Sequence, residues 1–274
     1  MMADWQSETI PTNGIRIHYT RTGGNKPPIV LAHGFSDAGL CWTPVAEVLA
    51  ETYDVIMTDA RGHGRSDAPE TGYGVTDMAA DIAGVITGLG LEKPAMLGHS
   101  MGGATTFVLA GTYPDLLGAI LVEDAGGINI ASGNRPDAAE RMAQARERMT
   151  NLQSLSRDEV LAHGHETNPA WSQAELEPWA DAKLRFNLRA LNRMGTSVEN
   201  WETVLSNIRC PALLITADVE RGAIVDEAGA TKLQALIPQL TVAHVTDAGH
   251  NIRREQFAKY MEIVQTFLDE QRAI

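Results

Sequence analysis

Short apolar segments recur along the chain, and each is followed by glycine or by polar residues. They are "PPIVLAHG", "VIMTDARGHG", "PAMLGHS", "LGAILVEDAGG", "PALLITAD" and "TVAHVTDAGH". Uninterrupted apolar runs are typical of strands that are covered on both faces of a sheet, and the stretches between them have helical spacing. The alternation predicts an α/β protein with a mostly parallel central sheet and helices on both of its faces.

The alternation changes in two places. Apolar and polar residues alternate around Asn13 and Gly14, which predicts a hairpin and an antiparallel edge of the sheet. Later, the apolar run that ends at 124 and the one that begins at 211 are much further apart than the roughly 30 residues of a strand–helix–strand unit. We therefore predict a core formed by 1–126 and 201–274, and a helical cap formed by 127–200 over the carboxyl edge of the sheet.

Composition limits the kind of partner. The 274 residues are 44% hydrophobic, which suffices for one large core, and the net charge of -13 argues against binding to nucleic acid or to an anionic membrane. We expect a small-molecule substrate and a monomer or homodimer. Cys41 and Cys210 are too few for a disulfide framework and are interpreted as buried apolar side chains. Without a signal segment or an apolar span of about 20 residues, a cytoplasmic protein is expected.

The polar residues at the ends of the predicted strands are candidates for chemistry, because ligands of such sheets bind at the carboxyl edge. Ser100 lies in "GHSMG", a G-x-S-x-G sequence between an apolar run and a helical one. Glycine on both sides permits the sharp strand-to-helix turn that exposes a nucleophilic hydroxyl. Ser100 is therefore the candidate nucleophile.

A serine needs a base to take its proton, and the base needs an acid to orient it. His250 follows the last apolar run and is the candidate base. Asp218 is favoured as the acid because a short side chain at a strand end can be held rigidly toward the histidine. Glu220 is its rival, and Asp124 is a third possibility that is interpreted first as a local hydrogen-bonding group.

Two backbone amides are candidates for an oxyanion hole. The N–H that follows the nucleophile belongs to Met101, and a second should come from the loop after "IVLAHG", where Phe35 is the natural donor.

In their order along nearly the whole chain, "HGFSDAG", "DARGHGRSD", "GHSMGG", "TADVERGAIV" and "DAGHN" resemble the α/β-hydrolase family of serine esterases and their relatives. The resemblance implies the α/β-hydrolase fold. The motifs of the sequence imply no cofactor. The resemblance also implies that His33 is a scaffold residue of the oxyanion loop. The remaining residues that it assigns to shaping the site are Asp59, Arg61, His63 and Ser66.

The chain departs from the family's pattern at one point. Many relatives have G-x-x-D after the seventh strand, whereas Ala217 and Glu220 stand at the glycine and aspartate positions here. The resemblance therefore leaves the choice between Asp218 and Glu220 open.

The motifs together predict a serine carboxylesterase that acts through an acyl-enzyme. A lactonase, a hydrolase of carbon–carbon bonds, a cofactor-free haloperoxidase and a non-catalytic binding protein remain alternatives. A carbon–carbon hydrolase would need cationic groups in the cap for an acidic substrate, and Arg185 or Arg189 could supply them. Serine at position 100 disfavours dehalogenase and epoxide hydrolase activities, which by the resemblance use an aspartate nucleophile.

No metal site is predicted. The "HGH" sequence at 163–165 is interpreted as a solvated loop because no third ligand is evident. Phosphate-binding glycine loops are absent from the sequence. The aromatic residues of the insertion are expected to pack the cap onto the core; they are Trp171, Trp179, Phe186 and Trp201.

Overall fold

A computed structural model of the protein describes residues 5–125, 138–193 and 198–272. The strands of its central sheet are β1 (Gln6–Thr12), β2 (Ile15–Arg21), β3 (Pro28–Ala32), β4 (Asp54–Thr58), β5 (Ala95–His99), β6 (Ala119–Glu123), β7 (Ala212–Ala217) and β8 (Leu240–Val245). Their order across the sheet is β1-β2-β4-β3-β5-β6-β7-β8. The pairs β1–β2 and β2–β4 are antiparallel, and the other neighbours are parallel. The predicted α/β-hydrolase fold is confirmed.

Helices follow most of the strands, as the spacing predicted. They are α1 (Thr43–Leu49), α2 (Val75–Gly88), α3 (Met101–Thr112), α4 (Ala138–Gln153), α5 (Arg157–Thr167), α6 (Gln173–Arg185), α7 (Trp201–Ser206), α8 (Glu227–Leu236), α9 (Ile252–Glu255) and α10 (Phe257–Arg272). Helices α4 to α6 and a 3-10 turn, Leu188–Arg193, lie between β6 and β7. We call these elements the inserted helices. The predicted boundary at 126 and 127 lies outside the described residues, so the two-domain division stays a prediction.

The amino-terminal hairpin has the geometry that its turn sequence predicts. Asn13 and Gly14 both have positive φ, 48° and 77°, and Thr12 pairs with Ile15 across the turn. Two consecutive residues with positive φ are typical of a type I′ turn, whose twist matches that of the flanking strands. The antiparallel edge of the sheet is confirmed.

The apolar runs are explained by the two-sided burial of the sheet. In β3, Val30 belongs to the core cluster on the side of α2 and α3, whereas Ile29 and Leu31 belong to the cluster on the side of α1 and α10. Successive side chains point to opposite faces of a strand, so both faces must be apolar. This arrangement leaves the carboxyl edge for polar side chains, and Ser100 and Asp124 follow the neighbouring strands β5 and β6 there.

Other expectations from the sequence concern single segments. Cys41 and Cys210 are buried free thiols, and burial raises the pKa of Cys41 to about 12. The "HGH" sequence lies on helix α5 and not in a loop, with His165 bonded to Gln173 at 2.9 Å. Within the described ranges, no helix is long and apolar enough to cross a membrane.

The hairpin and helix α2 fit closely at one glycine, which gives a test of the packing. A Cβ atom at Gly84 would overlap the Thr12 side chain, whose hydroxyl donates to the Asp81 carbonyl. Gly84→Ala should lower the free energy of unfolding by about 1–3 kcal/mol through overpacking, although alanine stabilises an ordinary helix interior. Thermal unfolding shows whether the substitution lowers or raises stability, and a higher Tm for the variant would contradict this packing.

Candidate active site

Ser100 lies on a strained turn between β5 and α3. Its φ and ψ are 52° and -109°, a conformation that non-glycine residues adopt only where the surrounding structure enforces it. A Cβ atom on Gly98 would overlap the carbonyl oxygen of Gly102, and one on Gly102 would overlap the carbonyl oxygen of Ala32. Both glycines are therefore needed for the turn, and their spacing in the sequence reflects this close approach.

His250 reaches the serine from the loop after β8. Its Nε2 atom lies 3.0 Å from Ser100 Oγ, within hydrogen-bond distance. The loop is tied to the neighbouring strand, because His99 Nε2 donates to the His250 carbonyl at 2.9 Å. Burial, and then the charge of Arg253, hold the pKa of His99 well below its usual value, so this donor remains a neutral imidazole. The structure thus brings together the two residues that the sequence singled out.

The acid beside the imidazole is Asp124, and the prediction of Asp218 or Glu220 in that place is wrong. Asp124 Oδ2 lies 2.6 Å from His250 Nδ1. Asp218 bonds instead with His244, at 3.0 Å, and accepts from the Asp247 amide. Glu220 lies on an exposed turn, and both rejected acids line a groove of about 550 Å³ beyond β7.

Sheet order explains this correction. Strand β6 is the direct neighbour of β5, and His99 is paired with Glu123, so the residues that follow them, Ser100 and Asp124, lie at the same level. Strand β7 is one position further away. Asp124 follows β6 just as Ser100 follows β5, but Asp218 follows β7 in the same way, so the local sequence alone did not separate the two acids.

The loop after β7 serves the site in a different way. The amides of Ile224 and Val225 donate to the Asp124 carboxylate at distances of 2.8 to 3.0 Å. Asp124 is completely buried, and it has a φ of 40°. A buried carboxylate is costly unless hydrogen bonds satisfy it. These two amides provide that compensation and fix the direction of the oxygen that contacts His250.

The candidate oxyanion donors flank the serine. Met101 is the first residue of α3, where N–H groups have no partner inside the helix. Gly34, directly before Phe35, packs on the serine: a Cβ atom built on it would lie 3.6 Å from Ser100 Cβ and 2.6 Å from His99 Nδ1. The loop that carries Phe35 can approach Ser100 only with glycine at this position.

The residues that the family resemblance assigned to support form a buried network under this loop. His33 Nδ1 donates to the Gly34 carbonyl at 2.8 Å, and its Nε2 accepts from the Ala60 amide. The other four residues bind nearby groups. Asp59 accepts hydrogen bonds from the amides of Gly39 and Arg65, and Ser66 donates to the Asp59 carbonyl. Arg61 donates to Asp81, and His63 donates to the Arg61 carbonyl.

A buried group of charged residues also holds the loop, and it was not predicted. We call it the Asp37 cluster; its members are Asp37, Lys183, Arg253, Arg254, Glu123 and Glu175. Lys183 of α6 donates to the Ser36 carbonyl at 2.8 Å and to Asp37 at 3.0 Å. Arg254 donates to Asp37 at 2.9 Å and to Glu175 at 3.0 Å.

The charges of the cluster compensate one another. Burial opposes the ionisation of Asp37, but the charges of Arg254 and Lys183 outweigh it and hold the pKa of Asp37 well below its usual range. Arg253, which also bonds Glu123 at 3.1 Å, lies three residues after His250, and Glu123 directly precedes Asp124. The cluster therefore connects the loops of Phe35, Asp124 and His250 with an inserted helix.

The aromatic residues of the insertion take three different places. Phe186 packs edge-on against Phe35, with ring centroids 5.2 Å apart. Trp171 and Trp179 contact each other and lie beside the cations Arg254 and Lys183. Trp201 begins α7, beside Lys232 of α8.

No group of three or more potential metal ligands occurs in the part of the chain that the structure describes.

The strand order, the turn at Ser100 and the side chains at the carboxyl edge define an α/β hydrolase in fold. The chain belongs to the alpha/beta hydrolase fold family, whose model matches residues 27–253. Among curated proteins, N-formylmaleamate deformylase of Pseudomonas putida is 29% identical over 267 residues, which are 95% of each chain. A soluble epoxide hydrolase of Corynebacterium is 38% identical over 203 residues, 73% of this chain and 65% of the relative.

Solved structures agree with the fold. The crystal structure of E-2-(acetamidomethylene)succinate hydrolase superposes with a TM-score of 0.79 at 23% identity, covering 97% of this chain and 99% of the other. Identity at this level shows the fold alone, so the reaction must be argued from the site.

The contact between Asp124 and His250 gives a direct test of the acid. Asp124→Asn should lower kcat by about 10³–10⁴-fold, because an amide no longer holds the imidazole in the tautomer that accepts the serine proton. Asp218→Asn is the matched control and should keep nearly full activity. Steady-state kinetics of both variants measure the difference, and a larger loss in the Asp218 variant would restore the prediction from sequence.

The Asp37 cluster gives a second test. Lys183→Met removes one partner of a buried ion pair and should cost about 3 kcal/mol of unfolding free energy. Arg157→Gln breaks the exposed pair of Arg157 with Asp181 and should change stability by less than about 1 kcal/mol. Urea unfolding compares them, and equal effects would show that Lys183 does not anchor the loop.

Proposed function

We propose that the protein hydrolyses small carboxylic esters through an acyl-enzyme on Ser100. Ser100 Oγ attacks the acyl carbon while His250 Nε2 takes its proton, and Asp124 stabilises the resulting imidazolium. The amides of Phe35 and Met101 receive the oxyanion. The bond to the alkoxide then breaks, and His250 returns the proton to the leaving alcohol. Water, deprotonated by His250, attacks the acyl-enzyme and releases the carboxylic acid and free Ser100.

The observation that carries this proposal is the continuous hydrogen-bonded series from Ser100 through His250 to the buried Asp124. A base that lies within about 2.6–3.2 Å of a hydroxyl on one side and of an orienting acid on the other is the arrangement that activates a serine. The strained backbone at Ser100 supports the same role. No step requires a metal or an organic cofactor.

A second candidate is hydrolysis of a carbon–nitrogen bond. The deformylase relative matches 95% of this chain, and its name describes removal of a formyl group from an amide-type nitrogen. The same residues could perform this reaction, provided that His250 protonates the leaving nitrogen. Opening of a lactone and cleavage of a carbon–carbon bond use the same nucleophile and depend on the shape of the pocket.

Epoxide hydrolysis fits the site less well, despite the relative with that name. Opening an epoxide with a carboxylate gives an ester, which water can cleave. Opening it with Ser100 would give an ether, which the same site could not hydrolyse. The serine at this position therefore favours acyl substrates.

Replacement of the nucleophile tests the proposal. Ser100→Ala should abolish hydrolysis of p-nitrophenyl acetate and butyrate, a loss of several orders of magnitude, and should prevent labelling by a fluorophosphonate. Ser206→Ala, at an exposed helical serine, is the control and should behave as the wild type. Retained turnover or labelling in the Ser100 variant, with an unchanged circular dichroism spectrum, would exclude Ser100 as nucleophile.

The reaction type is tested by a panel of unactivated esters, formamides, lactones and carbon–carbon ring-fission products. The proposal predicts the highest kcat/KM for an ester. Faster cleavage of a formamide would favour the second candidate.

A further inference from the structure

One buried histidine beside the site takes no part in the proton transfers. His99 directly precedes Ser100 and is only 3% exposed. The ring centroids of His99 and His250 are 4.7 Å apart, and a Cβ atom on Gly34 would lie 2.6 Å from His99 Nδ1. His99 therefore adjoins both the loop that carries the base and the loop that carries Phe35.

The hydrogen bond of His99 determines its tautomer. His99 Nε2 lies 2.9 Å from the carbonyl oxygen of His250. A carbonyl oxygen accepts hydrogen bonds and cannot donate them, so Nε2 carries the proton and Nδ1 carries the lone pair. Nδ1 is buried and has no hydrogen-bond partner among the described residues. The bond to His250 is therefore the polar contact that orients this ring.

This bond acts on the backbone of the base itself. The His250 side chain leaves the backbone at the Cα atom next to the bonded carbonyl, so a fixed carbonyl limits the direction of the imidazole. His250 follows β8 in a loop, and 29% of its side chain is exposed, whereas the side chain of Asp124 is completely buried. Packing alone therefore constrains the base less than the acid, and the bond from His99 adds a constraint.

The neighbouring strand holds the same segment three residues later. His99 is paired with Glu123 across β5 and β6, and paired side chains lie on the same face of a sheet. Glu123 accepts hydrogen bonds from the amide and from the guanidinium of Arg253, both at 3.1 Å. The segment from 250 to 253 is thus attached at both ends to the two strands that lead to Ser100 and Asp124.

The His99 ring must remain neutral beside a base that becomes positively charged. When His250 takes the proton of Ser100, a second cation next to it would oppose the step. Burial, and then the charges of Arg253 and His250, hold the pKa of His99 well below its usual value. Histidine at this position therefore supplies an N–H donor without a charge.

We propose that His99 is a positioning residue for the base: its N–H fixes the His250 carbonyl and so holds His250 Nε2 at bonding distance from Ser100 Oγ. The position between the first glycine and the serine of the G-x-S-x-G sequence then requires, in this protein, a neutral donor as long as histidine. This inference rests on the proposed function, because that function makes His250 the base.

Three substitutions of His99 separate its donor from its bulk. His99→Met removes the N–H. His99→Asn keeps an N–H on a side chain that is too short to reach the His250 carbonyl, whereas His99→Gln can place an N–H close to the position of the imidazole Nε2. His99→Met and His99→Asn should lower kcat about 10²-fold, as expected for a small displacement of a reacting group. KM should change little, and His99→Gln should recover most of the loss.

Labelling of Ser100 by a fluorophosphonate measures the same effect without a substrate. The labelling rate should fall in His99→Met and His99→Asn and recover in His99→Gln. His163→Met, at an exposed histidine of α5, is the control and should label like the wild type. Urea unfolding identifies the variants that are folded under the assay conditions. Wild-type rates in folded His99→Met, or equal losses in all three variants of His99, would overturn the proposal.

The tautomer of His99 tests the proposal without any variant. Long-range proton–nitrogen NMR spectra of the wild type should show a protonated Nε2 and an unprotonated Nδ1 on His99 between about pH 5 and 8. A proton on Nδ1 in an enzyme with normal ester turnover would refute the positioning role alone, because Nε2 could not donate. A wild type that neither labels nor hydrolyses esters would refute the proposed function, and the positioning role with it.

Discussion

The hydrogen bond between Asp124 and His250 is the interaction on which the rest of the site depends. It places a fully buried carboxylate against an imidazole, 2.6 Å away. Such a carboxylate is tolerated only because the amides of Ile224 and Val225 donate to it. The loop after β7 must therefore fold back over β6, and the loop after β8 must cross toward β5. The contact between His250 and Ser100 follows from these two constraints.

The Asp37 cluster extends this constraint to the inserted helices. Lys183 reaches from α6 to the loop that carries Phe35, and Arg254 joins Asp37 to Glu175 of the same helix. Any displacement of α6 would leave buried charges without partners, which is costly. The loop that carries Phe35 and helix α6 are therefore positioned as one unit.

Most of the fold followed from local patterns. Apolar runs marked the buried strands, Asn13 and Gly14 marked the hairpin, and the glycines around Ser100 marked the strained turn. The choice of Asp218 failed because it assumed that the nearest acid at a strand end turns toward the histidine. Strand adjacency decides this point, and adjacency depends on sheet order rather than on local sequence. Asp218 turns to His244 on the outer strand instead.

The charged residues of the inserted helices were hidden for a related reason. Lys183 lies in an amphipathic segment whose spacing does not distinguish a solvated charge from one turned toward the core. The sequence suggested Arg185 and Arg189, and both are exposed. Only tertiary packing separates Lys183 from these exposed cations.

Proton NMR of the His250 Nδ1–H tests the central claim most directly. In the wild type, the bond to Asp124 should give a resonance far downfield of the amide region, because a short bond to a carboxylate deshields the proton. Asp124→Asn should remove or strongly shift this resonance, and Asp218→Asn should leave it unchanged. A resonance that persists in the Asp124 variant and disappears in the Asp218 variant would contradict the account.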